Sequence, residues 1–583
     1  MFPISEKTIQ KLIIKGEHLI DSHAVIFFDV FDTLLTRDCE QPSNVFELVE
    51  ETYNKKEKTS PLHDFKYLRK AAEQKCAQNI FAPSLDEIYD YLPLDSEKKS
   101  RLKAIEIETE LMLSIRKYTG YSLYCYAKEQ KKKIVAVSDM YLGEDIISKL
   151  LASAGYSVDD VIVSCDNKAE KFNGKLFQVA IQRMSSVKND IVHFGDNPVS
   201  DILGAMRAGI DCLWIPARKN LAYFKKSGDS FSDNYLLPFV ANRVLLIENK
   251  VTALGYETCG PMIVGFCQWL HQKLHEGHYN KALFCARDML QAYQIYLEMY
   301  PEDKDLACYF YASRKSLQPA YEAVIGKDAS SESLMQLNYL RDYINQLDCK
   351  GKVAFIDSGL NGRSQKMLLS ILQDGTELHG FYMRIAKVFF NNVKDSATCV
   401  YMYNGKPNIK HMISSMFFET MVAAVHGRTT GYIKNPCSDK IEPILGNAHP
   451  SPLIIEEYHK GVELFARDYN QSCFSKIIID EKAVRDVMLR LGFFPQQEDV
   501  KLLENLKCGN EKYEESLIIK RKQSYYLLHI YDFFRDLKNT YWKGGFLRHC
   551  FSYLSPIVSS IYLFADCLIL GFIGEWSNPH EPE

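Results

Sequence analysis

Four carboxylates and one lysine in the first third of the chain occupy positions from which they could do chemistry together. Asp29 ends the apolar run AVIFF within FFDVFDT, Ser138 and Asp139 follow KIVAV, and Asp196 and Asp201 lie in GDNPVSD after IVHFG. Lys171, in EKFNGKLF, comes after VIVS. Carboxylates gathered on one sheet edge raise each other's pKa unless a cation sits among them, and a hard divalent ion suits an all-oxygen donor set. Mg²⁺ is the natural candidate. It keeps several waters and takes remaining ligands from phosphate, so the pattern implies an anionic substrate.

These residues meet only if a scaffold brings the ends of separate strands together. Strands are expected at Ala24–Phe28, Lys133–Val137, Val161–Ser164, Ile191–Gly195 and Cys212–Pro216. Each is short, apolar and followed by a polar or glycine-containing turn, the pattern of a parallel sheet covered on both faces. Ligands of such sheets bind beyond the carboxyl ends of the strands. About a hundred residues separate the first two strands and read as several helices, far more than a crossover needs, which predicts an inserted helical subdomain. A second α/β unit starts near Gly255, where KALFCARDML and GKVAFIDSGLNGRSQ each give strand, turn and helix. Beyond about Asn404 the segments read as mostly helical and without recognisable chemistry.

The ordered series DVFDT, VSD, the lysine of EKFNGKLF, and GDNPVSD resembles the four motifs of the haloacid dehalogenase (HAD) superfamily across roughly residues 21–220. The resemblance implies a Rossmann-like core, a helical cap, a Mg²⁺ cofactor and phosphoryl transfer through an aspartyl intermediate. It further implies Asp29 as nucleophile and metal ligand, with the Phe31 backbone carbonyl, Asp196 and Asp201 completing the metal site. Thr33 and Ser138 would hydrogen-bond the transferring group, and Lys171 would offset its charge. One position departs: Phe31 stands where phosphatases of the family carry a second Asp as general acid. Since a general acid typically contributes about 10²–10⁴-fold, its loss predicts a slow phosphatase, a substrate with a good leaving group, or a catalytically silent core. Asp32 is expected to point away along an extended segment, which leaves Asp139 as the next candidate acid. His193, inside an apolar strand, is expected to be a satisfied core histidine.

With SDMYL, CARDML, YASR and IDSGLNGRSQ included, the chain is similar to large bacterial HAD-type proteins whose genes accompany surface-polysaccharide assembly. In the second unit, IDSGLNGRS sets an acid at a strand end before a glycine-rich turn and a helix, where backbone N–H groups can face an anion. It loosely resembles the ribose-phosphate loop of phosphoribosyltransferases, with Ser358 in place of the second acid. Arg287, Asp288, Arg314, Asp357, Arg363 and Ser364 are therefore candidates for binding an anionic sugar or nucleotide, or for a structural ion network.

The chain has 583 residues and a formal charge of −4. Its composition is that of a globular protein of about three or four domains, with no overall basic field for nucleic acid. The expected division is an HAD-like core (1–37 and 126–245), a helical cap (38–125), a second α/β domain (246–403) and a mostly helical remainder (404–583). Sixteen cysteines, none in CxxC spacing, and an N-terminus without a signal peptide predict reduced thiols and a cytoplasmic setting. The low-charge tail Ile557–Ile573 is expected to be a docked helix, with peripheral membrane contact as the alternative. The function expected is hydrolysis of a small phosphorylated metabolite, a sugar phosphate or nucleotide. The rivals are a silent binding or assembly module, and a transferase in the second unit using an activated sugar or phosphoribosyl donor. Sequence leaves the oligomeric state open.

Overall fold

The computed structural model describes residues 6–58, 60–217, 231–328, 330–372, 375–385, 389–393, 398–402, 415–480, 483–484, 490–510 and 513–562. They fall into two compact units, Met1–Leu246 and Ile247–Glu583.

The first unit is built on strands β1 (Val25–Phe28), β2 (Leu35–Arg37), β3 (Ser114–Arg116), β4 (Lys133–Ser138), β5 (Asp160–Val163), β6 (Ile191–Gly195) and β7 (Asp211–Trp214). Five of them form a parallel sheet in the order β5-β4-β1-β6-β7. The central strand, VIFF, is buried at every position, as a strand must be when helices cover both faces. Val25, Phe27, Val135, Val137 and Ile162 pack with Leu176, Phe177 and Ala205 to form the core on one face. The sequence-based strand positions agree with the observed ones to within two residues.

The interval between β1 and β4 is a helical insertion: Val45–Lys56, Phe65–Asn79, Leu85–Asp90 and Ser96–Leu113, followed by Tyr118–Glu129. Local signals set these helices. Ser84 and Glu87 form a reciprocal capping box, and Asp95 accepts from the Lys98 N–H at 2.8 Å. Inside the insertion Arg69 and Glu106, both fully buried, pair through two hydrogen bonds of 2.9 and 3.0 Å, and Tyr89 donates to the same carboxylate at 2.8 Å. The ends of the insertion are joined by β2 and β3, which pair antiparallel, and the Asp38 N–H donates to the Leu113 carbonyl at 2.9 Å. Sequence reading gave no hint of this hairpin; three-residue strands are too short to show a period.

The second unit holds β8 (Lys281–Cys285), β9 (Ala307–Phe310), β10 (Gly351–Leu360), β11 (Thr376–Ile385) and β12 (Thr398–Val400), again a parallel sheet, in the order β12-β11-β10-β8-β9. Beyond it lie a hairpin of β13 (Thr429–Lys434) and β14 (Ile441–Leu445) and a largely helical region. Tyr432 and Ile441 of that hairpin join the core cluster that contains Phe310, Phe355 and Tyr382. Fourteen cysteines among the described residues are free thiols. Among the described residues no helix is long and apolar enough to cross a membrane. The apolar run Ile557–Ile573 lies outside the described residues from 563 onward.

Candidate catalytic and binding sites

In an open parallel sheet the ligand crevice opens where strand order reverses. In the first unit that point lies between β1 and β6, and Asp29 and Asp196 follow those two strands. The Asp29 N–H donates to the Phe194 carbonyl at 2.8 Å, continuing the ladder one residue past β1. The chain then turns sharply: the N–H groups of Leu34 and Leu35 both donate to the Val30 carbonyl, at 2.9 and 2.8 Å. Within this turn Asp32 is left-handed, with φ of 59°. The expectation that Asp32 lies on an extended segment and faces away is therefore incorrect. Its charge is the foremost electrostatic repulsion acting on the Asp196 carboxyl. Thr33 is buried, and its hydroxyl has no hydrogen-bond partner among the described residues.

Lys171 is the centre of the arrangement. Its buried ammonium lies 2.6 Å from Asp29 Oδ1 and 2.5 Å from Asp201 Oδ1. Its backbone N–H donates to both oxygens of Asp139, at 3.0 and 3.2 Å, so Asp139 fixes the lysine loop. Both oxygens of Asp201 are engaged: Oδ1 also meets His193 Nε2 at 3.0 Å, and Oδ2 accepts from the Asn197 N–H at 2.9 Å, which leaves Oδ2 capacity for one further partner. His193 is buried in β6 as expected of a core histidine, but only Nε2 is engaged, on Asp201; Nδ1 has no hydrogen-bond partner among the described residues, so the ring is not fully satisfied. Ser138 is buried at the end of β4. Phe31 presents its ring to the Arg37 guanidinium, 3.8 Å from the ring centroid, and Arg37 pairs with Glu110 at 2.7 Å.

Lys117 was not singled out from sequence. It donates to the Asp32 carbonyl and, at 3.2 Å, to the Pro216 carbonyl. Nothing in the local RKY sequence distinguishes it, because its partners come from loops 85 and 99 residues away.

The electrostatics follow from four carboxylates around one buried ammonium. Burial drives the Asp29 carboxyl up to about 8; Lys171 opposes this, while Asp201 and Asp196 add repulsion. Burial, then Asp32 and Asp201, raise Asp196 to about 6. Burial works against Asp201 as well, but Lys171 and His193 outweigh it and hold that carboxyl below the ordinary range. Lys171, despite burial, is held above its ordinary value by Asp201, Asp29 and Asp139. Oxygens of Asp29, Asp196 and Asp201 lie within 4.8 Å of one another. An all-oxygen set with surplus negative charge fits a hard divalent cation.

In the second unit the strand order reverses between β8 and β10. Arg287 and Asp288 follow β8, and Asp357 and Ser358 lie toward the end of β10. Ser358 Oγ donates to Asp288 Oδ2 at 2.9 Å. Burial, reinforced by Asp288, lifts Asp357 to about 7, against the N–H groups of Gly359 and Ser358 and the charge of Arg314. Arg314 opens the helix after β9, behind the N-cap Ser313. Arg363 and Ser364 are half-buried in the first turn of the helix Arg363–Ile371. Two members were missed from sequence. Glu419, on the helix Ser415–Val422, pairs with Arg384 of β11 at 2.9 Å, and its carboxyl is raised to about 7 by burial, against Arg384 and with Asp288 and Asp357 adding repulsion. Glu419 follows a long interval without chemical pattern, so no motif marks it.

No curated protein matches the chain in sequence. Among solved structures it is similar to the HAD-hydrolase YfnB from Bacillus subtilis bound to magnesium, at 19% identity, covering 33% of this chain and 88% of that one with a TM-score of 0.26. It is also similar to 2-haloacid dehalogenase from Pseudomonas syringae pv. Tomato (17% identity, 36% and 90% covered, TM-score 0.26) and to L-2-haloacid dehalogenase from Xanthobacter autotrophicus (16%, 35% and 79%, 0.25). The family described as haloacid dehalogenase-like hydrolase matches residues 23–209. That match takes in the helical insertion and every strand of the first sheet except β7: residues 23–209 of this chain are a haloacid dehalogenase-like hydrolase domain.

Proposed function

We propose that the first unit is a divalent-cation-dependent phosphohydrolase for a small phosphorylated metabolite, with Asp29 as nucleophile. The observation that carries this reading is the buried Asp29–Lys171–Asp201 bridge at the point where strand order reverses. An Asp29 carboxylate oxygen attacks phosphorus, the bond to the leaving oxygen breaks, and water later cleaves the acyl phosphate to regenerate Asp29. Lys171 neutralises charge on the phosphoryl oxygens, and the Thr33 and Ser138 hydroxyls orient the group. Mg²⁺, held by Asp29, the Phe31 carbonyl, Asp196 and Asp201, would favour ionised Asp29 and offset phosphoryl charge. Burial raises Asp29 even with Lys171 beside it, so a second positive charge would favour the ionised, nucleophilic form.

Phe31 cannot protonate a leaving oxygen, which favours a substrate whose leaving group departs as a stable anion, an acyl or aryl phosphate, over a simple alkyl ester. The same feature favours a second reading, displacement at carbon of a group that needs no proton. Hydrolysis of an aryl phosphate by wild type and Asp29→Asn, with and without Mg²⁺, tests the first reading. Equal rates for the two proteins would remove Asp29 as nucleophile. Halide release from a 2-haloacid without phosphatase activity would favour the second.

In the second unit, Asp288, Asp357 and Ser358 at the strand-order reversal, with arginines 287, 314 and 384 nearby, support binding of an anionic sugar or nucleotide. Thermal shifts with sugar nucleotides and phosphoribosyl pyrophosphate test that reading; silence would favour an ion network.

A further inference from the structure

We propose that His271, His275 and Asp303 form a site for a Zn²⁺-class metal ion in the second unit, separate from the carboxylate cluster of the first. The two histidines lie four residues apart on the helix Cys259–Gly277, so their rings share one face, with centroids 4.4 Å apart. Asp303 comes from another element, the short turn of helix Pro301–Asp305 that leads into β9. His271 Nδ1 lies 2.9 Å from Asp303 Oδ2, and His275 Nε2 lies 3.0 Å from Asp303 Oδ1. The three ligating atoms lie within 4.8 Å of one another.

Zinc takes nitrogen at about 2.0–2.1 Å and oxygen at about 2.0–2.2 Å, which in a tetrahedron places neighbouring ligand atoms roughly 3.3–3.5 Å apart. The observed nitrogen-to-oxygen separations need to open by only a few tenths of an ångström. Two imidazoles with one carboxylate suit zinc and its first-row neighbours, whereas Mg²⁺ prefers oxygen alone. The supporting contacts are those a metal ligand set requires. Tyr296 donates to Asp303 Oδ2 at 2.5 Å, and the His271 ring stacks on Tyr300 at 3.7 Å with an interplanar angle of 4°. Asp303 is buried and His275 is half exposed, so three ligands are held from inside while the fourth position faces solvent.

The site's position indicates its role. His275 precedes β8 and Asp303 precedes β9, so both stand at the amino ends of the strands, the edge opposite Asp288 and Asp357. A metal there would clamp the helix Cys259–Gly277 to the segment entering β9, stabilising the unit without entering its ligand crevice.

The test uses the full chain, stripped with a chelator and held in saturating Mg²⁺ so that the carboxylate cluster is occupied. Titration with Zn²⁺ should give one tight site per chain and raise the unfolding midpoint. His275→Gln, a change at an exposed side chain, should weaken that site at least tenfold and remove the shift, as should His271→Gln. Asp29→Asn should leave it intact, which separates this proposal from the reading of the first unit. Co²⁺ in place of Zn²⁺ should give visible d–d bands without thiolate charge transfer. Undiminished Zn²⁺ binding by His275→Gln, a thiolate band, or no tight site in wild type would each overturn the assignment.

Discussion

Gly195 and Asp201 are packed so closely that a Cβ built on Gly195 would lie 2.3 Å from Asp201 Cγ. The last residue of β6 has no side chain because the carboxylate that anchors Lys171 occupies that space. Gly195→Ala should therefore push Asp201 out of line with Lys171 and His193. Overpacking of this kind costs about 1–3 kcal/mol, and a 1 Å misplacement about 10²-fold in rate. Urea midpoints and aryl-phosphate turnover measured on the same preparation check both figures.

Lys171→Met should be among the most destabilising single changes in the first unit. Removing one partner of a buried ion pair costs about 3–5 kcal/mol, because the remaining charge is left uncompensated. Here two carboxylates lose their shared ammonium. The deficit should be large at pH 8 and shrink toward pH 4, where protonation relieves it; urea denaturation at the two pH values provides the comparison. Mg²⁺ should restore part of the loss at pH 8.

Phe31→Asp should fail to restore a full general acid. The introduced carboxyl would face the Arg37 guanidinium that now stacks on Phe31, and a neighbouring cation favours the ionised form. The expected gain on an alkyl phosphate is less than tenfold, against the roughly 10²–10⁴ of a competent acid. Rates across phosphates of graded leaving-group pKa should keep nearly the wild-type slope.

Acid should stabilise the second unit. Asp357 is raised from 3.8 to about 7 by burial and by Asp288, so between those values the native state holds a proton that the unfolded state has lost. Stability then falls as pH rises through this window and levels off above about 7. Asp357→Asn should reduce the slope, with Glu419, likewise raised to about 7, carrying the remainder, and should raise the midpoint at pH 8, since about 1 kcal/mol corresponds to roughly 2–4 °C for 150–250 residues and less for a longer unit. Thermal unfolding followed across pH 5–8 provides the measurement.

What could be read in the sequence were the residues whose place is marked by the local pattern around them. Asp29, Ser138, Asp196 and Asp201 each follow a short apolar strand, so their place on one sheet edge follows from periodicity and parallel topology. Lys171 is legible for the same reason. Asp32 departs from the extended conformation its sequence position predicts because two N–H groups close on the Val30 carbonyl within a turn that holds it left-handed. Lys117, Arg384 and Glu419 were hidden because their roles depend on partners distant in sequence. The coupling of His271 to His275 follows from helical spacing, but Asp303 joins them only through the packing of a separate turn.

The hairpin of β2 and β3 has a further consequence. Leu35 pairs with Arg116 and Arg37 with Ser114, so the 76 intervening residues, 38–113, leave and re-enter the core side by side. To the core, the whole insertion is equivalent to the loop of a tight turn. Its size and content can therefore change without altering the path that delivers Asp29 and Ser138 to the same edge. The hairpin thus separates an insertion free to vary in length from the sheet edge that carries the carboxylates.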